Sequence, residues 1–133
     1  MKLDQILESA LYVADLPEAE RFYTRLLGFP PIASADGRHV FFKLGNGMLL
    51  LFDPQSTSDP ASELPTHGAT GQGHLAFRVT PDELNGWREH VTKLGIPIEK
   101  EWIWPNGVPS IYFRDPSGNL LEITLGKLWG FET

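Results

Sequence analysis

The chain has 133 residues, 41% of them hydrophobic, with four Trp and eight Phe: enough apolar material for the core of one domain and too little chain for several large ones. Seventeen acids against eleven Lys plus Arg leave a net charge of -6, so neither nucleic acid nor an anionic membrane surface is an expected partner. The absence of cysteine excludes disulfides, a thiolate nucleophile and any metal site built on sulfur, so a metal would need nitrogen and oxygen ligands.

Asp4 and Glu8 interrupt the N-terminal stretch, and the longest apolar run, Met48 to Phe52, falls far short of the roughly 20 residues that span a bilayer. A soluble, cytoplasmic protein is the expectation. Leu7 to Val13 reads as a strand with Glu8, Ala10 and Tyr12 on one face and Leu7, Ser9, Leu11 and Val13 on the other. Asp15-Leu-Pro-Glu18 then supplies a cap, and Ala19, Phe22, Tyr23, Leu26 and Leu27 form one apolar helical stripe that Gly28 can end. Ile32 to Ser34, His39 to Leu44 and Met48 to Phe52 follow as strands, separated by Ala35-Asp36-Gly37-Arg38 and Gly45-Asn46-Gly47. The proline-rich stretch 53–72 reads as a connecting loop.

The same order then returns. Gly73 to Val79 is a strand, Thr80 and Glu83 have capping-box spacing with Pro81 at the first helical position, and Leu84, Trp87, Val91 and Leu94 make a helical stripe. Ile96 to Trp104, Pro109 to Phe113 and Leu120 to Leu125 complete three more strands, the last two joined by Asp115-Pro-Ser-Gly-Asn119, a turn whose polar residues are expected to set the hairpin. A gapless match pairs Phe42 with Phe113, Gly47 with Gly118 and Leu50 with Leu121; a slightly different offset pairs Glu8 with His74 and Val13 with Val79. The reading is a single domain, 1–133, built from duplicated βαβββ modules at 5–54 and 72–127.

Period-two alternation puts His74, Ala76 and Arg78 opposite Leu75, Phe77 and Val79, and Glu122 and Thr124 opposite Leu121, Ile123 and Leu125. Glu8 has the phase of His74, so facing modules would bring Glu8, His74 and Glu122 together. Two carboxylates in a partly dry cavity repel unless a cation compensates them, and one imidazole with two carboxylates suits divalent Fe, Mn, Ni, Co or Zn. The gapless match puts Leu51 opposite Glu122, leaving one of the four repeated positions without a ligand and the coordination open, as catalysis requires.

Leu11-Tyr-Val-Ala-Asp15-Leu, Phe22-Tyr-Thr-Arg-Leu-Leu-Gly28-Phe, Gly73-His-Leu-Ala-Phe77 and Phe113-Arg-Asp-Pro-Ser-Gly-Asn119-Leu-Leu-Glu122 make the chain resemble the vicinal oxygen chelate superfamily over Leu7 to Leu125. Its members include glyoxalase I, bleomycin-resistance proteins, fosfomycin-resistance enzymes, methylmalonyl-CoA epimerase and extradiol dioxygenases. The resemblance implies an α+β fold in which two βαβββ modules form a curved mixed sheet with helices on its outer face. It implies metal ligands at Glu8, His74 and Glu122, and a pocket made by paired modules within one subunit or across a homodimer; in a metal-dependent enzyme of this kind Glu8 or Glu122 can exchange protons only if not held as a fixed ligand. Three-ligand relatives usually have His where this chain has Glu8, and four-ligand relatives have a ligand where the match puts Leu51.

Trp102, Trp104 and Phe42 are candidate aromatic walls of a substrate pocket, with Arg38, Asn106 and Arg114 to orient an anionic or oxygen-rich ligand. Three functions fit: a metal-dependent lyase, isomerase or dioxygenase acting on a small oxygen-rich substrate; a metal-free small-molecule binding or antibiotic-resistance protein of the bleomycin-resistance type; or a structural or regulatory dimer without catalysis.

Overall fold

Leu11 and Val13, two residues apart, are both buried, while Glu8 and Ala10 on the opposite face are exposed. This alternation belongs to β1 (Glu8–Tyr12) and sets which face of its sheet packs inward. The computed structural model describes residues 1–132 and separates into two compact units, Met1–Gly71 and a second beginning at Gln72.

In the first unit β1 is followed by α1 (Leu16–Leu27), β2 (Ala33–Ala35), β3 (His39–Leu44), β4 (Gly47–Phe52) and α2 (Pro54–Thr57). The strands form one mixed sheet in the order β1-β4-β3-β2, with β1 parallel to β4 and the other pairs antiparallel. Helix α1 starts because Asp15 accepts a hydrogen bond from the Glu18 N–H at 3.0 Å, and it stops at Gly28, whose φ of 89° suits a residue without Cβ. Its stripe buries Ala19, Tyr23 and Leu26, and Tyr23 meets Phe42 of β3 with ring centroids 6.3 Å apart.

The second unit repeats this plan with β5 (His74–Val79), α3 (Leu84–Lys93), β6 (Lys100–Ile103), β7 (Pro109–Arg114) and β8 (Leu120–Leu125) in the order β5-β8-β7-β6, again with only the β5–β8 pair parallel. Val91 of α3, Ile111, Phe113, Leu121 and Ile123 are fully or almost fully buried and form its core. The chain is thus α+β, with two four-stranded mixed sheets and their helices. Among the described residues no helix is long and apolar enough to cross a membrane.

Three local expectations change. Stretch 53–72 contains one helical turn, α2, opened by Asp53 accepting from the Gln55 N–H at 2.9 Å with Pro54 behind it; this short cap signal was masked by the surrounding prolines. Only part of the expected capping box forms: the Thr80 N–H donates to Glu83 Oε2 at 2.9 Å, but this closes a turn, and α3 begins only at Leu84 without a side-chain cap. Strand β6 is shorter than 96–104: Pro97 carries no N–H, and regular pairing begins at Lys100.

Register also corrects one equivalence between the halves. Ala10 lies beside Leu50, and Ala76 lies beside Glu122. With Glu8 matched to His74, the counterpart of Glu122 is therefore Leu50, and Leu51 corresponds to the core residue Ile123. The cause is the second hairpin: Phe42 faces Leu49 whereas Phe113 faces Leu121, so the longer β7–β8 turn displaces a gapless match by one residue, and one residue in a strand exchanges the two faces.

That longer turn is built from buried polar groups. Asp115 Oδ1 accepts from the N–H groups of Ser117 and Asn119, Asn119 Nδ2 donates to Asp115 Oδ2, and Asn119 Oδ1 accepts from the Gly73 N–H at 2.7 Å. Asn119 therefore ties the β7–β8 turn to the start of β5. Replacing it by Ala removes the acceptor of the Gly73 N–H and a donor to Asp115 Oδ2, and Asn119→Ala is expected to lower stability by about 1–3 kcal/mol in urea unfolding.

Candidate functional site

The face of the second sheet opposite its core carries His74, Ala76 and Arg78 from β5, Glu122 and Thr124 from β8, and Ser110 and Tyr112 from β7. This follows from strand phase, because Leu121, Ile123, Ile111 and Phe113 occupy the other face and are buried. On this polar face His74 Nε2 lies 3.2 Å from Glu122 Oε1. The imidazole is half exposed, whereas the carboxylate is 5% exposed and needs internal partners.

Those partners form a directed chain. The Trp104 indole N–H can only donate, and it donates to Ser110 Oγ at 2.8 Å; the Ser110 hydroxyl then donates to Glu122 Oε2 at 2.5 Å. One carboxylate oxygen is thereby held from behind, and the other is left facing His74. The His74 ring is oriented just as definitely. Its Nδ1 lies 3.0 Å from the Leu120 carbonyl, which only accepts, so Nδ1 carries a proton and Nε2 is the ring nitrogen that faces Glu122.

The fit of this pair to a divalent ion can be judged from the donors. A ligand imidazole held through its other N–H by a carbonyl, beside a carboxylate that is itself hydrogen-bonded, is the support that metal-binding side chains need. Two atoms 3.2 Å apart, each about 2.1 Å from one ion, subtend an angle of roughly 100°, between tetrahedral and octahedral requirements. The pair fits. Among the described residues no group of three or more His, Asp and Glu side chains is gathered in a form that could hold a metal.

Tyr112 lies across the strand pair from Glu122, with its ring centroid 6.5 Å from that of His74. Burial first, then the Glu122 charge, pushes its phenol above the usual range, so it keeps its proton. Ser110 and Tyr112 were not singled out from the sequence. The alternation of Ser110 and Tyr112 with Ile111 and Phe113 along β7 was the signal that could have found them.

The remaining candidates are dispersed. Glu8 is an exposed residue at the start of β1 and lies beside Met48 in register. Trp104 holds Ser110 as described. Trp102 is exposed on β6 with Lys100 Nζ 5.6 Å from its ring centroid. Asn106 folds its Oδ1 back to the Val108 N–H in the β6–β7 turn. Arg114 makes a two-pronged pair with Glu99, at 3.1 Å for each contact, and also donates to the Gly118 carbonyl, so its fork is occupied by the protein. Phe42 is fully buried against Tyr23 and Phe29, because its phase in β3 points to the core.

Arg38 stands at the start of β3. Its Nη1 donates to His39 Nδ1 at 2.7 Å, and its guanidinium carbon is 5.5 Å from the centroid of Phe52. Burial, with the neighbouring Arg38 charge as a second cause, lowers the pKa of His39.

The chain belongs to the Glyoxalase/Bleomycin resistance protein/Dioxygenase superfamily, whose family model matches residues 2–123. It is 47% identical to the crystal structure of lactoylglutathione lyase from Agrobacterium tumefaciens, with a TM-score of 0.94, covering 98% of this chain and 100% of that one. It is also 30% identical over 128 residues to virulence protein STM3117 of Salmonella typhimurium (strain LT2), covering 93% of this chain and 85% of that protein. Metallothiol transferase FosB of Shouchella clausii is 26% identical over 119 residues, covering 87% and 76% of the two chains.

Two measurements check the electrostatics described here. Ser110→Ala removes the acceptor of Trp104 and the donor to Glu122, and should cost about 1–3 kcal/mol in denaturant unfolding. The lowered His39 value means that, as pH falls from the ordinary value of 6.5 toward the folded-state value, the unfolded chain gains a proton that the folded chain does not. This contribution makes stability decline with acidification in that window and is absent above it; a urea-midpoint series on wild type and His39→Phe should show the extra decline in wild type alone.

Proposed function

We propose that the protein is a divalent-metal-dependent enzyme acting on a small oxygen-rich molecule, as a lyase, isomerase or dioxygenase, with Glu8, His74 and Glu122 as the metal-ligating side chains. The observation that carries this reading is the placement of His74 Nε2 3.2 Å from the buried Glu122 carboxylate, with the ring held through Nδ1 by the Leu120 carbonyl. Membership of the superfamily supports it, as does likeness to proteins described as a lactoylglutathione lyase and a metallothiol transferase. The functional particle in this reading is a cytoplasmic homodimer, and Glu8 completes the ligand set from one of its two chains.

A bound divalent ion supplies Lewis acidity, polarising substrate oxygens and stabilising negative charge that develops on them. The side chains prepare for that chemistry. His74 is held with Nε2 toward Glu122 through its bond to Leu120, and Ser110 with Trp104 prevents Glu122 from turning away. Tyr112 retains its hydroxyl proton beside the same carboxylate. Glu8 and Glu122 are the groups able to accept or return a proton when not held as ligands.

Metal uptake tests the proposal. Protein purified without a metal-affinity column should bind stoichiometric divalent metal by elemental analysis and titration, and Glu8→Gln, His74→Ala and Glu122→Gln should each weaken that binding by about tenfold or more. Folded variants, verified by circular dichroism, that bind metal as the wild type does would refute the ligand set. Oxygen consumption with catechol-like substrates would identify a dioxygenase.

A further inference from the structure

We infer that Arg38 and His39, set among the aromatic side chains of β3 and β4, form a binding site for the carboxylate of a small planar, unsaturated acid. The inference concerns a ligand site on the first unit and stands apart from the enzyme reading proposed above.

The backbone holds Arg38 at both sides. Its N–H donates to the Ala35 carbonyl at 3.0 Å, and its own carbonyl accepts from the Asp53 N–H at 2.9 Å. The guanidinium has five N–H donors in a rigid fork, and the protein engages it through the 2.7 Å bond to His39 Nδ1 and the contact with the Phe52 face. None of the ion pairs among the described residues includes Arg38, although the chain carries seventeen acids. A half-buried cation in a protein of net charge -6 would ordinarily attract one of those carboxylates. Arg114, with a similar degree of burial, has attracted Glu99.

His39 sharpens the specificity. Arginine can only donate, so Nδ1 is the acceptor and the proton of the neutral imidazole lies on Nε2. The lowered pKa agrees with that state, leaving Arg38 as the positive charge of the pair. The imidazole stacks on Phe41 with centroids 4.0 Å apart and planes at 9°, and Phe41 meets Phe52 edge to face at 5.4 Å. A charged fork and a neutral N–H donor thus adjoin flat aromatic surfaces. A carboxylate matches the fork through two parallel hydrogen bonds, and a conjugated group attached to it matches the rings.

Benzoate is the probe, titrated into metal-free protein and followed by nitrogen–proton NMR of the arginine and histidine side chains. Saturable binding is expected, with shifts at Arg38 Nε–H and the His39 ring. Benzamide, which lacks the charge, and cyclohexanecarboxylate, which lacks the planar group, should bind about tenfold more weakly or worse, as should Arg38→Gln. Arg38→Lys should recover only part of the loss, because an ammonium cannot replace the fork. Equal binding of benzoate by a folded Arg38→Gln protein, equal binding of benzamide, or shifts confined to residues away from Arg38 and His39 would overturn the inference. Since no metal is present, failure here leaves metal uptake at His74 and Glu122 unaffected, and failure of metal uptake leaves the benzoate result standing.

Discussion

A carboxylate in the most enclosed strand of a sheet is the constraint around which the second unit is arranged. From Leu121 to Leu125 every residue of β8 is buried, and Glu122 is the ionisable group among them. Burying such a group without partners costs far more than one hydrogen bond returns, so its neighbours must answer it. Ser110 sits on β7 because a hydroxyl there can reach Glu122, Trp104 donates to the Ser110 oxygen, and His74 approaches from β5. The candidate site and the local stability of the sheet therefore draw on the same contacts.

The first unit shows what the same scaffold does without that demand. Leu50 takes the place of Glu122 in register and asks for no polar support. The face is occupied instead by Phe41, Phe52 and Tyr12, with His39 and Arg38 at one end and His67 hydrogen-bonded to Tyr12 Oη at 2.7 Å. The two units share strand order and the parallel closing pair, while the residues on the face opposite each core differ in chemistry. This division is expected, because core positions are constrained by packing and the opposite face only by what it must recognise or hold.

Much of this was readable in the chain because period-two and period-3.6 patterns report faces directly. Asp15 and Gly28 delimit α1 by local chemistry, and the phase of His74 and Glu122 puts both on the polar face of their strands. Composition does not report which partner a side chain finds. Arg114 looked available for a ligand, yet its partner Glu99 is 15 residues away in a segment whose pairing had to be known first. Phe42 and Phe41 are equally aromatic, and only the β3–β4 register makes the first a core residue and the second part of the opposite face. The one-residue error over Leu50 and Leu51 has the same origin: a turn of different length leaves the hydrophobic pattern intact while exchanging the faces.

The bond between Asn119 and Gly73 also bears on how the second unit reaches its native state. The β7–β8 hairpin closes over a few residues, whereas this bond joins groups 46 residues apart in the chain. Loop-closure entropy delays such contacts relative to local ones, so the hairpin can organise early and offer Asn119 Oδ1 as a landing point for the incoming β5 backbone. His74 is the next residue after Gly73, so the step that completes the parallel pair also brings its imidazole to Glu122. The His74–Glu122 contact is then among the last features acquired during folding.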